Sequence, residues 1–148
     1  MKNILLIATG GTIASKDNGN GLTPSIDVNI LLDYIPVIRQ KCHVTGISLM
    51  NIDSSNMDTS HISSISECIM NNYNDYDGFV ITHGTDTIEE TAYMLDLVLH
   101  TEKPVCLTGA MRGASDMSWD GPGNILAAVQ AAVSPELIGQ CVVVVLNN

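Results

Sequence analysis

The sequence predicts a doubly wound α/β fold, in which a parallel sheet of about five strands carries helices on both faces. Strand-like and helix-like segments alternate along the whole chain. That alternation is typical of a parallel sheet whose strands are joined by helices. Several short apolar runs end directly in Gly and hydroxyl residues. Such runs are expected where a buried strand delivers a tight polar turn to the carboxyl edge of a sheet.

Five runs of apolar and β-branched residues predict the strands. They occupy residues of about 2–8, 43–49, 78–82, 104–108 and 141–146. The helices are expected at about 27–34, 59–72, 87–100 and 122–133. The last strand is almost entirely Val and would leave an apolar edge on the sheet, which natural proteins usually cover. We therefore expect a partner chain or a C-terminal continuation to complete this edge.

Local signals set the predicted helix starts and one loop. Asp58 or Thr59 can cap the second helix, and Thr-Ile-Glu-Glu at 87–90 has the capping-box pattern for the third. Pro122 suits the first turn of the fourth helix, with Asp120 as its cap. The Gly- and Asn-rich segment before the first helix is expected to form a mobile loop.

Composition bounds the class of protein. With 148 residues and 45% apolar content, the chain is long enough for one compact domain with a core. Six basic residues stand against sixteen acidic ones, giving a formal net charge of −10. Because phosphates require clustered Lys and Arg, this balance argues against nucleic acid as a partner.

The cysteines and the apolar runs indicate a reduced compartment. Four cysteines are spread along the chain without a Cys-x-x-Cys pair, so we expect core thiols rather than a disulfide framework or a metal site. No run approaches the ~20 apolar residues of a membrane span, and the first apolar run is too short for a signal-peptide core. A cytoplasmic protein without metal or membrane contact is the expectation.

Two Thr-rich turns are the strongest functional signal. Thr-Gly-Gly-Thr at 9–12 follows the first predicted strand, and His-Gly-Thr-Asp-Thr at 83–87 follows the third. In open α/β sheets ligands bind outside the carboxyl ends of the strands, so both turns are expected at one crevice. A phosphate-loop interpretation fails because neither Gly-Lys-Ser/Thr nor Gly-x-Gly-x-x-Gly is present. The pattern indicates hydroxyl chemistry.

Four motifs together resemble the bacterial-type L-asparaginase family. They are Thr-Gly-Gly-Thr-Ile-Ala at 9–14, Asp-Ser-Ser-Asn-Met at 53–57, His-Gly-Thr-Asp-Thr at 83–87, and Thr-Gly-Ala-Met-Arg at 108–112 with Asp-Gly-Pro at 120–122. The resemblance implies a flavodoxin-like N-terminal domain over residues 1–148, truncated before a smaller C-terminal domain. It also implies a homotetramer that hydrolyses L-asparagine, and often L-glutamine, without a cofactor.

The resemblance also implies roles for individual residues. Thr12 matches the nucleophilic Thr of the first motif. Thr85 matches the second Thr, and Asp86 matches the acid that binds the substrate α-amino group. The C-terminal domain of the family supplies further groups to the site, so the 148 residues alone are expected to be poorly active or inactive.

Substrate-binding positions are carried over in the same way. Ser54 matches a residue that holds the α-carboxylate, and Ser55 lines the same pocket. Ala110 stands where the family offers a backbone carbonyl to the leaving amide. Gly10, Gly11 and Gly84 let the backbone approach the substrate closely, and their N–H groups are expected to serve as anion donors.

The group that activates the nucleophile is not evident from the sequence. Comparison with the family's pattern places Leu22 and Pro135 where a hydroxyl-activating Tyr and Lys are expected, and His83 is a candidate base by position. This leaves open a non-catalytic module that binds aspartate or asparagine, and, with less support, a nucleotide-binding domain. Calorimetry and ammonia release separate these alternatives.

Overall fold

The computed structural model describes residues 1–17, 22–24 and 27–146, and for residues 14–17 and 22–24 it describes the backbone alone. The strands are β1 (Asn3–Gly10), β2 (Ser15–Asp17), β3 (Leu22–Pro24), β4 (His43–Ile52), β5 (Gly78–Thr82), β6 (Val105–Thr108) and β7 (Val142–Val144). The α-helices are α1 (Val28–Asp33), α2 (Thr59–Asn71), α3 (Ile88–Val98) and α4 (Gly121–Val133). Short 3-10 helices cover Thr12–Ala14, Pro36–Gln40, Ser54–Asn56, Thr85–Thr87 and Pro135–Leu137.

Five parallel strands form the main sheet in the order β4-β1-β5-β6-β7. The chain starts at β1, crosses to β4 on one side, and then returns to β5 on the other. This reversal between β1 and β5 is the topological switch point where open α/β sheets bind ligands. The predicted doubly wound parallel sheet is confirmed.

Side chains alternate between two cores, one on each face of the sheet. Ile4 and Leu6 pack in the core that α1 and α4 cover. Leu5 and Ile7 pack in the core that α2 and α3 cover, as does Phe79 from β5. Successive residues of β1 therefore enter opposite cores, which explains why this strand is apolar throughout. Helices on both faces are confirmed.

Helix α2 begins as predicted, but the start of α3 differs. Asp58 caps α2 by accepting from the N–H groups of Ser60 and His61, at 2.9 and 3.0 Å. Thr87 stands at the start of α3 but makes no capping hydrogen bond. Its hydroxyl donates instead to the Ser54 carbonyl, at 2.8 Å. The capping box predicted at 87–90 was wrong because a tertiary contact takes the hydroxyl.

Two further differences concern the sheet. The segment after the first turn forms an antiparallel pair, β2 with β3, that was not predicted, while residues 18–21 of the predicted mobile loop lie outside the described residues. The last strand is shorter than predicted, Val142–Val144, and lies at an edge of the main sheet, with Val144 42% exposed. The predicted apolar edge is therefore present in the fold.

Candidate active site

The turns that follow β1 and β5 touch through their backbones. A Cβ atom on Gly11 would lie 2.5 Å from the amide nitrogen of Gly84 and 2.6 Å from its Cα. Gly11 also has φ +79°, a left-handed conformation that favours glycine. The sequence needs Gly at this position because both the conformation and the contact exclude a side chain. The predicted convergence of the two Thr-rich turns is confirmed at the level of the backbone.

Ser54 joins the turn after β4 to the same place. A Cβ on Gly84 would lie 2.7 Å from the Cβ of Ser54, whose side chain is only 4% exposed. The Ser54 hydroxyl accepts from the N–H of Asp86 at 3.2 Å, and its carbonyl accepts from Thr87. Because a hydroxyl has one proton and two lone pairs, Ser54 accepts here and keeps its proton for another partner.

The turn after β6 completes the group. A Cβ on Gly109 would lie 2.7 Å from the His83 carbonyl and 3.1 Å from Cγ2 of Thr85. The backbone N–H of His83 donates to the Thr108 carbonyl at 2.8 Å, which extends the pairing of β5 with β6 up to the turn. Ala110 follows as a buried residue, 1% exposed. Four turns, after β1, β4, β5 and β6, therefore meet at one edge of the sheet.

The predicted site residues differ in exposure. Thr12 and Thr85 are half-buried, and each opens a single 3-10 turn. Asp86 and Ser55 are exposed at the same edge. Two half-buried threonines and one exposed aspartate therefore lie at this edge. The N–H of Gly11 donates to the Ile52 carbonyl at 3.1 Å, and its role as an anion donor stays a prediction.

His83 is a structural residue here and not a base. It is fully buried, with Nδ1 2.6 Å from the Gly84 carbonyl and Nε2 2.9 Å from the Thr91 hydroxyl. A carbonyl only accepts, so Nδ1 carries the proton, and Nε2 of the neutral ring accepts from Thr91. Burial lowers the pKa of His83, against the opposing effects of the Gly84 hydrogen bond and the Glu90 charge. The suggestion of His83 as a base was wrong.

Pro135 lies far from the site. Helix α4 starts at the carboxyl edge and runs 13 residues, or about 20 Å, towards the amino ends of the strands. Near its end, the Ala132 carbonyl lies 3.0 Å from the Cβ position of Gly78, the first residue of β5. A Lys at position 135 could not reach the hydroxyls, so Pro135 says nothing about a lost base. Leu22 lies in β3, which packs beside the Thr12 turn.

Asp120 and Asn124 are the residues that sequence reasoning missed. Asp120 was expected to cap α4, but its carboxylate accepts from the N–H groups of Met111 at 3.1 Å and Arg112 at 2.9 Å. Asn124 donates its amide to the Gly109 carbonyl at 2.9 Å and to Asp120 at 3.1 Å. The signal that could have revealed this is the i, i+4 spacing of two polar residues at the start of a helix.

Comparison with known proteins decides the family. The sequence matches the family described as Asparaginase, N-terminal, over residues 3–148. The chain belongs to the asparaginase family. L-asparaginase 2-1 of Saccharomyces cerevisiae is 38% identical over all of this chain and 42% of its own length. L-asparaginase 2 of Escherichia coli is 40% identical, again over the whole chain and 44% of its own length.

A solved relative shares the asparaginase fold. The crystal structure of a probable cytoplasmic L-asparaginase from Campylobacter jejuni superimposes with a TM-score of 0.93 at 39% identity. It covers 99% of this chain and 46% of the solved one. This asparaginase domain therefore spans less than half the length of the relatives it matches.

The described part of the domain lacks the side-chain cluster of a metal centre. There, no group of three or more His, Cys, Asp and Glu side chains could hold a metal ion. No helix in the described ranges is long and apolar enough to cross a bilayer. All four cysteines are free thiols: Cys42 and Cys106 are buried, and Cys68 and Cys141 are half-buried.

Proposed function

We propose that this chain is the N-terminal domain of an L-asparaginase, in which Thr12 attacks the side-chain amide of L-asparagine. The observation that carries the proposal is the contact of Gly11 with Gly84. It brings the Thr12 and Thr85 turns of an asparaginase-family fold against each other at the switch point. A two-step amide hydrolysis requires a nucleophile beside a group that activates it, and these turns bring two hydroxyl residues and Asp86 to one crevice.

The proposed reaction has two steps. In the first, the Thr12 oxygen bonds to the amide carbon, the hydroxyl proton is transferred to the amide nitrogen, and the carbon–nitrogen bond breaks to release ammonia. In the second, water attacks the resulting ester, which gives aspartate and restores the Thr12 hydroxyl. No redox partner or cofactor enters this balance.

Charged and polar groups around the hydroxyls suit a small amino acid. The exposed carboxylate of Asp86 is available to an α-ammonium group. The Ser54 hydroxyl accepts from a backbone N–H and retains a proton for an α-carboxylate. Ser55 lines the same rim. The Ala110 carbonyl is the proposed acceptor for the amide NH₂. L-glutamine is a second substrate in this proposal, since one methylene changes binding by only ~1–3 kcal/mol.

We further propose that activity requires groups outside these 148 residues. The relatives are more than twice as long as the matched segment, which is 42% of the yeast protein and 46% of the solved one. The proposal includes a C-terminal domain and, as the family resemblance implies, a homo-oligomer as the active form, with a cytoplasmic location like that given for the Campylobacter jejuni relative. The test compares ammonia release by the 148-residue chain with release by the same chain joined to the C-terminal half of the Campylobacter jejuni relative. The joined protein is expected to be faster by orders of magnitude, and equal rates would contradict this part of the proposal.

Thr12→Ala tests the nucleophile. In the joined protein this change should abolish ammonia release from asparagine, because the bond-forming oxygen is lost, while aspartate binding by calorimetry persists. Thr45→Ala is the matched control, since Thr45 is an exposed threonine of β4. It should leave turnover unchanged. Normal turnover in Thr12→Ala would show that another group attacks.

A second candidate is a non-catalytic module that binds aspartate or asparagine. The observation that favours it is the engagement of His83, whose two ring nitrogens are both bonded and whose pKa is lowered by burial. Tight binding of asparagine by the joined protein without any ammonia release would select this module. Measurable release would exclude it.

A further inference from the structure

We propose that Asp120 and Asn124 are positioning residues that hold the turn at 109–112 so that the Ala110 carbonyl selects a side-chain amide over a carboxylate. This inference rests on the proposed function, in which that carbonyl receives the leaving amide. It adds a source of discrimination between asparagine and aspartate, the substrate and the product of the reaction.

The turn after β6 is held from one side by three hydrogen bonds, and a fourth joins the two residues that hold it. The two oxygens of Asp120 accept separately, Oδ2 from the N–H of Met111 at 3.1 Å and Oδ1 from the N–H of Arg112 at 2.9 Å. The Asn124 amide bridges the Gly109 carbonyl, at 2.9 Å, and Asp120 Oδ2, at 3.1 Å. These bonds fix the residue before Ala110 and the two residues after it.

On its other side the turn packs against the residues that follow β5. The Cβ position of Gly109 lies 3.1 Å from Cγ2 of Thr85 and 2.7 Å from the His83 carbonyl. Ala110 has 1% exposure, so its methyl group packs in the core beneath. Contacts on both sides therefore restrain the backbone of this turn relative to Thr85.

Charge supports the same arrangement. Partial burial by itself raises the pKa of Asp120, but the N–H donors of Met111 and Arg112 and the Arg112 charge outweigh burial and hold this pKa below its usual value. Asp120 is therefore ionised at neutral pH and makes charge-assisted hydrogen bonds, which are stronger than neutral ones. Arg112 is anchored in turn by a 2.6 Å bond from Nε to the Ser118 carbonyl.

The chemistry of the carbonyl gives the selectivity. An amide NH₂ donates to a carbonyl oxygen, whereas a carboxylate has no proton to donate and places like charge beside the carbonyl dipole. A fixed carbonyl thus favours asparagine and disfavours aspartate at the same point in space. If the turn loses its hydrogen bonds to Asp120, the Ala110 carbonyl moves away from the ligand. Its contact with the amide of asparagine then becomes weaker, and its repulsion of the carboxylate of aspartate is also reduced.

The test is the ratio of KM for asparagine to the inhibition constant for aspartate, in the chain joined to the C-terminal half. Asp120→Asn is expected to raise this ratio about tenfold or more, in keeping with the cost of ~1 Å misplacements in active sites. Asn124→Ala should also raise the ratio. If far-ultraviolet circular dichroism shows that Asp120→Asn is unfolded, Asn124→Ala serves as the test in its place.

Asp116→Asn is the matched control. Asp116 lies in the same loop and also accepts from a backbone N–H, that of Ser118 at 2.8 Å, but its link to the turn at 109–112 is the charge of Arg112 and not a hydrogen bond. Its ratio should stay within about twofold of the parent's. A general structural role for Asp120 would change KM and the inhibition constant equally, and an unchanged ratio or an equal change would overturn the proposal.

Failure of the proposed function is distinguishable from failure of this inference. A parent protein that releases no ammonia refutes the hydrolase, and the ratio is then measured by calorimetry as two dissociation constants. A raised ratio in Asp120→Asn still supports the positioning role in such a binding module. An unchanged ratio of dissociation constants overturns it.

Discussion

Gly11→Ala is the change that tests the site geometry most directly. The new Cβ would lie 2.5 Å from the Gly84 nitrogen, while ordinary contacts begin at 3.4 Å, so the two turns must separate by about 0.9 Å. The contacting atoms belong to the Gly84 backbone, so no side-chain rotation can relieve the clash. The substitution therefore acts on the distance between the Thr12 and Thr85 turns.

Two terms give the magnitude of the stability loss. A non-glycine residue in the left-handed region costs about 1–2 kcal/mol, and overpacking adds about 1–3 kcal/mol. The reduced entropy of the unfolded chain returns about 0.4–1 kcal/mol. We expect a net loss of about 1–5 kcal/mol in the free energy of unfolding. A displacement of this size should also lower ammonia release by about 100-fold.

Substitutions at two other glycines separate the cost of backbone strain from the cost of overpacking. Gly139 has φ +77° with nothing within 4 Å of its Cβ position, so Gly139→Ala carries the conformational strain alone. Gly123, in α4, has neither feature, and Gly123→Ala should stabilise the protein by about 0.5–1 kcal/mol. Urea denaturation gives the free energy of unfolding of the three variants, which should be lowest in Gly11→Ala and highest in Gly123→Ala. Ammonia release from the joined protein measures their activity.

The outcome that would refute the reasoning is specific. If Gly11→Ala loses no more stability than Gly139→Ala and keeps its turnover, the two Thr-rich turns are not in backbone contact. The proposed two-hydroxyl site would then lose its main support.

Two predictions concern buried titratable groups. The pKa of His83 is lowered in the folded state, so the unfolded chain binds more protons below about pH 6.5. The free energy of unfolding should therefore fall as the pH drops through that value. Urea denaturation at pH 7.5 and 5.5 measures this loss, which should be smaller in His83→Gln than in the parent. A parent whose stability does not fall would contradict the buried neutral imidazole. Burial raises the pKa of Cys106 to about 12, so this thiol should resist alkylation by iodoacetamide at pH 8 until urea unfolds the chain. Mass spectrometry of the modified peptide checks this, and rapid labelling of the native protein would show that β6 is accessible.

The sheet and its helices follow from the sequence because local pattern and burial agree. Apolar residues fill β1 and β5, and these strands are buried on both faces, so their runs predict strands without ambiguity. Residue 78 begins a strand and residue 82 ends it, as predicted. Helix α2 was predictable in the same way, since its cap and its Ile spacing both lie within the helix itself.

Predictions failed where a polar side chain could bond either locally or across the fold. Thr87 and Asp120 stand at helix starts, and sequence alone assigns such residues to capping. In the structure Thr87 bonds Ser54, and Asp120 bonds the turn after β6, because these partners are brought within reach only by the parallel sheet. His83 is similar, since its burial between Gly84 and Thr91 depends on α3 packing beside β5.

The sequence by itself determined the family, the order along the chain of the α-helices and of the five strands of the main sheet, and which residues carry hydroxyls and carboxylates, because those properties are local or compositional. The tertiary structure alone decided which turns touch and which polar groups are already satisfied. Gly11 meets Gly84 across 73 positions of chain only because β1 and β5 pair in parallel register. That pairing carries the ends of both strands to one edge, and distance along the chain contains no information about it.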